Sequence, residues 1–98
     1  MHDEHLYIVT YDIADARRWR AVFKLMHGYG EWLQLSVFQC RLTRSRQVEL
    51  VARLEGTIST TDDHVMIVDV GVAESVQPRV QSMGKRQFAA IEREPVIV

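Results

Sequence analysis

The alternation of hydrophobic and polar residues along the 98-residue chain predicts strands and helices in turn. Leu6–Tyr11 is a nearly continuous run of apolar, β-branched and aromatic residues, which is typical of a central strand buried on both faces. Asp15 then stands where a helix N-cap is expected. The helix that follows has one apolar face, because its large side chains recur at three- and four-residue spacing. These are Ala16, Trp19, Val22, Phe23 and Met26.

The run from Trp32 to Leu42 alternates as a strand does, but it is long for one strand of about five or six residues. Gly28 and Gly30 end the preceding helix and provide the turn into this run. The run either bends as a single strand or folds into a hairpin near residues 34–36. No glycine or Asn-Gly pair marks a turn there, so the pattern leaves both possibilities open.

A second helix is predicted after Ser45, which we expect to cap it, with Gly56 at its end. Its apolar face is formed by Val48, Val51 and Leu54. A polar loop over residues 57–63 separates this helix from the next predicted strand.

A third strong strand is predicted over residues 64–71. Residues 73–77 are expected to form a short helical turn, and residues 80–83 a short strand. The apolar triplet Val96-Ile97-Val98 predicts a last edge strand that is added to a neighbouring sheet. Met1–His5 is polar, and we expect it to be frayed.

The order strand, helix, strand, helix, strand predicts an open sheet with both helices on one face. The opposite face of that sheet would then lack a cover. A second copy of the domain is the simplest cover, so the pattern favours a dimer.

Composition agrees with one ordinary globular domain, because 47% of the residues are hydrophobic and 26% are charged. No apolar run approaches the length of about 20 residues that a membrane span needs, and no signal peptide is recognisable. The single Cys40 excludes an internal disulfide, and we expect a buried, inert thiol. These observations predict a cytoplasmic protein with no membrane partner.

The formal net charge is only −1, yet the charges are unevenly distributed. Between Arg17 and Arg53 there are eight arginines or lysines and two glutamates. A basic face is therefore possible despite the neutral sum. Arg17, Arg18 and Arg20 suit phosphate contacts, as do the residues of a second group, Arg41, Arg44 and Arg46. The alternative is that both groups are simply solvated surface.

Asp12 is the strongest candidate for chemistry, because it stands at the carboxyl end of a strand and just before a helix. Helix capping is its alternative role, but Asp15 is better placed to cap. One carboxylate seldom makes a metal site alone. If a two-fold axis passed near this strand end, two copies of Asp12 could together hold Mg²⁺.

Two motifs at this separation resemble the small CRISPR-associated proteins of the Cas2 family. The first is Thr10-Tyr11-Asp12-Ile13 after an apolar strand and before an arginine-rich helix. The second is Gly28-Tyr29-Gly30-Glu31 followed by the run from Gln34 to Leu42. The match is detailed over the first half of the chain and extends to the layout of the rest.

The resemblance implies an α+β fold, a ferredoxin-like βαββαβ sandwich with an extra C-terminal strand, forming a face-to-face homodimer. Residues 1–98 would be one domain, with a partner-docking segment at 79–98. It also favours the hairpin interpretation of residues 32–42.

The resemblance further implies that Asp12 is the catalytic and metal-binding residue, with Mg²⁺ shared between two protomers. We assign nucleic-acid contacts to Tyr11, Arg17, Arg18, Arg20, Arg44 and Arg46.

Two functions follow from the resemblance. One is a dimeric scaffold that bridges the integrase Cas1 and binds DNA during spacer acquisition. The other is a metal-dependent endonuclease acting on single-stranded RNA or double-stranded DNA, including a stand-alone endoribonuclease of toxin type. Three residues depart from the family pattern: Ala14, Trp19 and Gln39. These departures weaken the hypothesis of nuclease activity and do not affect the scaffold hypothesis. A ferredoxin-like binding domain without nucleic acid is the third hypothesis.

Overall fold

The computed structural model describes residues 3–84, and it confirms the α+β class with the ferredoxin-like βαββαβ order. Its elements are β1 (His5–Asp12), α1 (Ala16–His27), β2 (Gly30–Gln34), β3 (Val37–Leu42), α2 (Arg44–Glu55), β4 (His64–Val72) and a 3₁₀ turn (Ala73–Ser75). No helix in this part of the chain is long and apolar enough to cross a membrane.

The four strands form one antiparallel sheet in the order β2-β3-β1-β4. β1 is therefore an interior strand, as its continuous apolar run predicts. Its register with β4 pairs Asp12 with His64, and its register with β3 pairs His5 with Leu42. Asp12 and His5 thus mark the two opposite ends of the sheet.

One face of the sheet is covered by both helices and contains the core. Alternate residues of β1, namely Tyr7, Val9 and Tyr11, point into it, and Phe38 and Cys40 of β3 lie beside them. Burial raises the pKa of the Cys40 thiol to about 12, in agreement with the inert cysteine that the sequence predicts. Both helices contribute apolar side chains to the same cluster: Val22 and Met26 from α1, and Leu50 and Leu54 from α2.

The other face of the sheet is not covered by a helix within residues 3–84. At its His5 end, Ala73 and residues 76–78 line a pocket with Leu6, Gln39 and Arg41, and Leu6 is buried. In β4, Val65 and Ile67 pack toward the core, whereas the alternating Met66 and Val68 are about half exposed. Val70, beside an irregularity in the β1–β4 pairing, is exposed as well. Within residues 3–84, the part of this face that contains Met66 and Val68 is therefore apolar and uncovered, as the sequence pattern predicts.

Residues 32–42 form a hairpin, which resolves the alternative that the sequence left open. Leu35 and Ser36 make the turn, and Leu35 adopts a φ of 38° without being glycine or asparagine. Two indole groups hold the turn: Trp32 Nε1 donates to the Leu35 carbonyl at 3.0 Å, and Trp19 Nε1 donates to the Ser36 hydroxyl at 2.9 Å. Tertiary hydrogen bonds thus replace the usual turn residues.

Three details of the predicted elements are wrong. The N-cap of α2 is Thr43, not Ser45, since its hydroxyl accepts the Arg46 N–H at 3.3 Å. Val48 lies on the exposed side of α2, and Leu50, which was not predicted to face the core, is buried. Residues 80–83 form no strand.

Two predictions concern the chain ends. β1 begins at His5, inside the tail expected to fray, and the Glu4 carbonyl accepts the Ala73 N–H at 2.8 Å. The predicted strand Val96–Val98 and most of the docking segment 79–98 lie outside the described residues.

Candidate nucleic-acid and metal site at the end of β1

Asp12 ends β1 with an exposed side chain that makes no hydrogen bond or ion pair within residues 3–84. The capping role belongs to Asp15, whose carboxylate accepts the Arg18 N–H at 3.0 Å and begins α1. The prediction that Asp15 caps the helix and leaves Asp12 free is therefore confirmed. A free carboxylate at a strand end is available for a cation or a second copy of the chain.

The donor set around Asp12 decides what kind of metal site is possible. Within the described part of the chain, no three His, Cys, Asp or Glu side chains come together as metal ligands. Mg²⁺ prefers six oxygen ligands and usually keeps several waters beside one or two carboxylates. Asp12 therefore forms no metal-ligand cluster with other residues of the described chain, and a metal ion held there would take its remaining ligands from water, substrate or another chain.

Arg17 and Arg20 lie at the Asp12 end of the molecule on the exposed side of α1. Lys24 continues the same helix face, because spacings of three and four residues place side chains one above another. None of the three forms an ion pair within residues 3–84. We call these three residues, Arg17, Arg20 and Lys24, the α1 ridge.

Arg18 is placed differently from its neighbours, because its guanidinium binds Asp63. Nε donates to one carboxylate oxygen of Asp63 at 2.7 Å, and Nη2 donates to the other at 3.2 Å. The backbone N–H groups of Ala14 and Ser59 also donate to this carboxylate, at 2.9 and 2.8 Å. The Arg18 hydrogen bond, followed by these backbone hydrogen bonds, holds the pKa of Asp63 well below its usual range, against the opposing effect of burial.

Arg44 and Arg46 begin α2, which follows the β3 residue paired with His5. They therefore lie at the end of the sheet remote from Asp12, roughly 23 Å away for an eight-residue strand. Arg46 stacks over the Tyr29 ring at 4.4 Å and donates to the Gly28 carbonyl at 3.3 Å. Arg44 lies close enough to Tyr7 to favour its ionised form, against the larger effect of burial, which raises the pKa of Tyr7.

Tyr11 is only 6% exposed, and its ring packs in the core beside Trp19 and Phe38. Its buried hydroxyl has no partner that meets hydrogen-bond geometry among the described residues, although the Ser36 hydroxyl lies near enough to favour the ionised form of Tyr11. Burial raises the pKa of this hydroxyl to about 12. A nucleic-acid contact by Tyr11 would require the side chain to leave the core.

The six residues assigned to nucleic-acid contacts thus separate into distinct environments. Arg17 and Arg20 are exposed at the same end of the molecule as Asp12, and Arg44 is at the opposite end. Arg18 and Arg46 are hydrogen-bonded within the fold, and Tyr11 is buried.

The sequence did not single out Asp63, which organises the residues around Asp12. A local signal was available, since an acid immediately before β4 must lie near the residue that follows β1 if the two strands pair antiparallel. That inference requires knowing the strand pairing, which the residue pattern alone does not provide.

Similarity to known proteins extends over nearly the whole chain. A family model described as CRISPR associated protein Cas2 matches residues 5–76. A Geobacter sulfurreducens protein named CRISPR-associated endoribonuclease Cas2 is 56% identical over 95 residues, covering 97% of this chain and 99% of that protein. A Rhodospirillum rubrum protein named CRISPR-associated endoribonuclease Cas2 1 is 52% identical over 95 residues, covering 97% and 92%.

Solved structures show the same fold. The crystal structure of Streptococcus pyogenes Cas2 at pH 6.5 has a TM-score of 0.71 and 32% identity, covering 81% of this chain and 99% of that one. The crystal structure of the hypothetical protein TT1823 from Thermus thermophilus has a TM-score of 0.73 and 32% identity, with coverage of 86% and 98%. Sequence and structure comparisons therefore agree on fold and length.

Proposed function

The chain belongs to the CRISPR-associated Cas2 family, and from this premise we propose that it is a homodimeric, nucleic-acid-binding subunit of the spacer-acquisition complex. In that complex it bridges copies of the integrase Cas1 in the cytoplasm and binds the DNA backbone. The face-to-face dimer is part of the proposal. The observation that supports it most directly is the uncovered apolar face of the sheet.

A second copy packed on that face would remove Met66, Val68 and Val70 from water, with a gain of about 25 cal/mol for each Å² of apolar surface buried. Exposed apolar patches of this kind are typical of association surfaces. Asp12 ends the central strand β1, so a two-fold axis near that strand end would bring the two carboxylates toward each other. The dimer and the shared metal site are therefore one structural hypothesis.

The α1 ridge supports the DNA-binding part of the proposal. Arg17, Arg20 and Lys24 present three positive charges on one helix face, and no acid of the described chain neutralises them by an ion pair. Contacts of arginine and lysine with phosphate carry no sequence information, so binding should tolerate any sequence. Arg44, at the other end of the sheet, extends the basic surface if DNA spans the molecule.

The salt dependence of duplex DNA binding tests this surface. A residue that contacts a phosphate contributes about one to the slope of log K against log salt concentration. We expect Arg17→Ala and Arg20→Ala each to lower that slope by about one, whereas Arg53→Ala, on α2 and outside the α1 ridge, leaves it unchanged. If the Arg17 and Arg20 substitutions leave the DNA affinity unchanged, the α1 ridge is not the DNA-binding surface.

A second function, metal-dependent endonuclease activity, is favoured by the free Asp12 carboxylate and by the relatives named endoribonucleases. Asp12 of both copies would hold Mg²⁺, which when bound supplies Lewis-acid polarisation of a phosphodiester. No histidine or second acid of the described chain lies beside Asp12 as an evident general base, apart from His64 across the β-ladder. The chain's own contribution would be to position the ion and the substrate.

Nuclease assays with Mg²⁺ or Mn²⁺ separate the two functions. Single-stranded RNA and double-stranded DNA are offered to the wild type, to Asp12→Asn and to the control Asp62→Asn, with EDTA in parallel. Cleavage lost only in Asp12→Asn and in EDTA would establish the enzyme. If cleavage is absent, or is equal in all three proteins, the nuclease hypothesis is rejected and the scaffold function stands. Neighbouring adaptation genes and a repeat array, as opposed to a toxin–antitoxin pair, would exclude the stand-alone toxin-type alternative.

A further inference from the structure

One carboxylate, that of Asp63, ties together the three segments that surround the end of β1. It accepts the Ala14 N–H from the turn after Asp12, two N–H groups of Arg18 from the first turn of α1, and the Ser59 N–H from the loop before β4. The side chain of Asp63 has no exposed surface. It is covered by its own loop and by Arg18.

The pairing also changes the electrostatic character of Arg18. Its two donors at 2.7 and 3.2 Å form the fork-to-fork geometry that arginine makes with carboxylates. The pair has no net charge, so it attracts phosphate groups weakly, and DNA binding at this position would release few counterions. Arg17 and Arg20, one and two positions away, have no such partner within residues 3–84.

We propose that Arg18 is a positioning residue and not a phosphate contact, and that Asp63 is the group through which it acts. Together they fix the turn from Asp12 to α1, and so set the position of Asp12 relative to the α1 ridge. The part of this inference that concerns nucleic acid rests on the proposed function, whereas the part that concerns the turn does not.

The two possible roles of Arg18 predict effects of opposite sign when Asp63 loses its charge. If Arg18 were a phosphate contact restrained by Asp63, Asp63→Asn would release a positive charge and strengthen DNA binding. If Arg18 positions the turn, Asp63→Asn loosens the site and weakens binding without changing how many phosphates are contacted. Arg18→Ala should then resemble Asp63→Asn.

The experiment measures duplex DNA binding by the full chain between about 50 and 200 mM salt. We expect Arg18→Ala and Asp63→Asn to reduce affinity by less than about tenfold, a change of under about 1.4 kcal/mol, with an unchanged salt slope. Arg17→Ala should lower the slope by about one, and Asp62→Asn, the neighbouring exposed acid, should match the wild type. A slope lowered by about one in Arg18→Ala, or tighter binding by Asp63→Asn, would overturn the proposal.

Amide hydrogen exchange of the free protein tests the turn without any nucleic acid. The Ala14 and Ser59 amides should exchange faster in Arg18→Ala and Asp63→Asn than in the wild type, and unchanged exchange would refute the positioning role. If either variant does not fold, Arg18→Lys keeps the charge but loses the fork, and faster exchange at Ala14 is again expected. Wild-type protein without DNA affinity would contradict the proposed function, and the exchange result would still decide the role of Arg18.

Discussion

Gly30 shows how little space separates the first residue of β2 from β3. A Cβ placed on Gly30 would lie 2.4 Å from the Gln39 carbonyl oxygen and 2.5 Å from the Cys40 sulfur. One of these atoms belongs to a strand backbone that is hydrogen-bonded in the sheet, so it cannot yield easily. Glycine is therefore required here by close packing, not by an unusual φ.

We expect Gly30→Ala to lower the free energy of unfolding by about 1–3 kcal/mol, the usual range for overpacking a tight site. Gly56→Ala is the matched control, because its Cβ would meet only ordinary contacts, at 3.6 Å or more, and its φ of −80° suits alanine. That control should be neutral or more stable by about 0.4–1 kcal/mol. Urea titration of both variants checks the difference, and equal midpoints would contradict the close approach.

The buried tyrosines Tyr11 and Tyr29 differ in whether the hydroxyl is hydrogen-bonded. The Tyr11 hydroxyl has no partner in the described chain, whereas the Tyr29 hydroxyl donates to Glu49. Removing a buried group that makes no hydrogen bond costs little or stabilises. Tyr11→Phe should therefore change the free energy of unfolding by less than about 1 kcal/mol, or increase it, while Tyr29→Phe should destabilise. Thermal melts of the two variants test this, and the reverse order would show that Tyr11 has a partner in solution.

The Asp63 carboxylate ties the loop between α2 and β4 to Arg18 and Ala14, so the stability of this contact should depend on pH. The pKa of Asp63 is lower in the folded protein than the value of about 3.9 expected when unfolded. A carboxyl group with a depressed folded-state pKa contributes stability that is complete above about pH 4 and is lost as the pH falls through its folded-state pKa.

Asp63→Asn should therefore lower the melting temperature at pH 7 by more than Asp62→Asn does. Its deficit relative to the wild type should shrink at increasingly acidic pH, because the wild type then loses the same charged interaction. Calorimetry at a series of pH values measures both trends. A deficit that stays constant down to the most acidic pH at which the wild type still folds would assign the effect to packing and not to the ionised carboxylate.

The elements that local patterns specify were predictable, and those that depend on distant contacts were less so. Asp15 was identified as the N-cap of α1 because it directly precedes a strong apolar periodicity. The hairpin was left open because Leu35 is not a usual turn residue, and its turn is held by indoles from Trp19 and Trp32. Thr43 was missed as a cap because Ser45, two residues later, fits the same local preference.

The candidate site shows the same division at the scale of the whole molecule. Asp12 and the exposed Arg17 and Arg20 could be predicted, since their positions follow from a strand end and a helix face. The hydrogen-bonded ion pair between Arg18 and Asp63 could not be predicted. Asp63 is 45 residues away along the chain, and only the pairing of β1 with β4 brings the two side chains together. The separation of Arg44 and Arg46 from Asp12 likewise needed the sheet topology.

The uncovered sheet face leads to a prediction for the assembled protein. Val68, 47% exposed on that face, and Val48, 53% exposed on α2, are the same residue type with similar exposure. If two copies associate through the sheet face, Val68→Lys buries a charge in the interface and should favour the monomer, whereas Val48→Lys should not.

Light scattering of the wild type and both variants should therefore find dimers for all except Val68→Lys. The melting temperature of the wild type and of Val48→Lys should rise with protein concentration, because dissociation accompanies unfolding, and that of Val68→Lys should not. Val68→Lys should also bind Mn²⁺ more weakly if Asp12 of two protomers forms the metal site. A monomeric wild type, or a Val48→Lys variant that dissociates equally, would show that the sheet face is not the dimer interface.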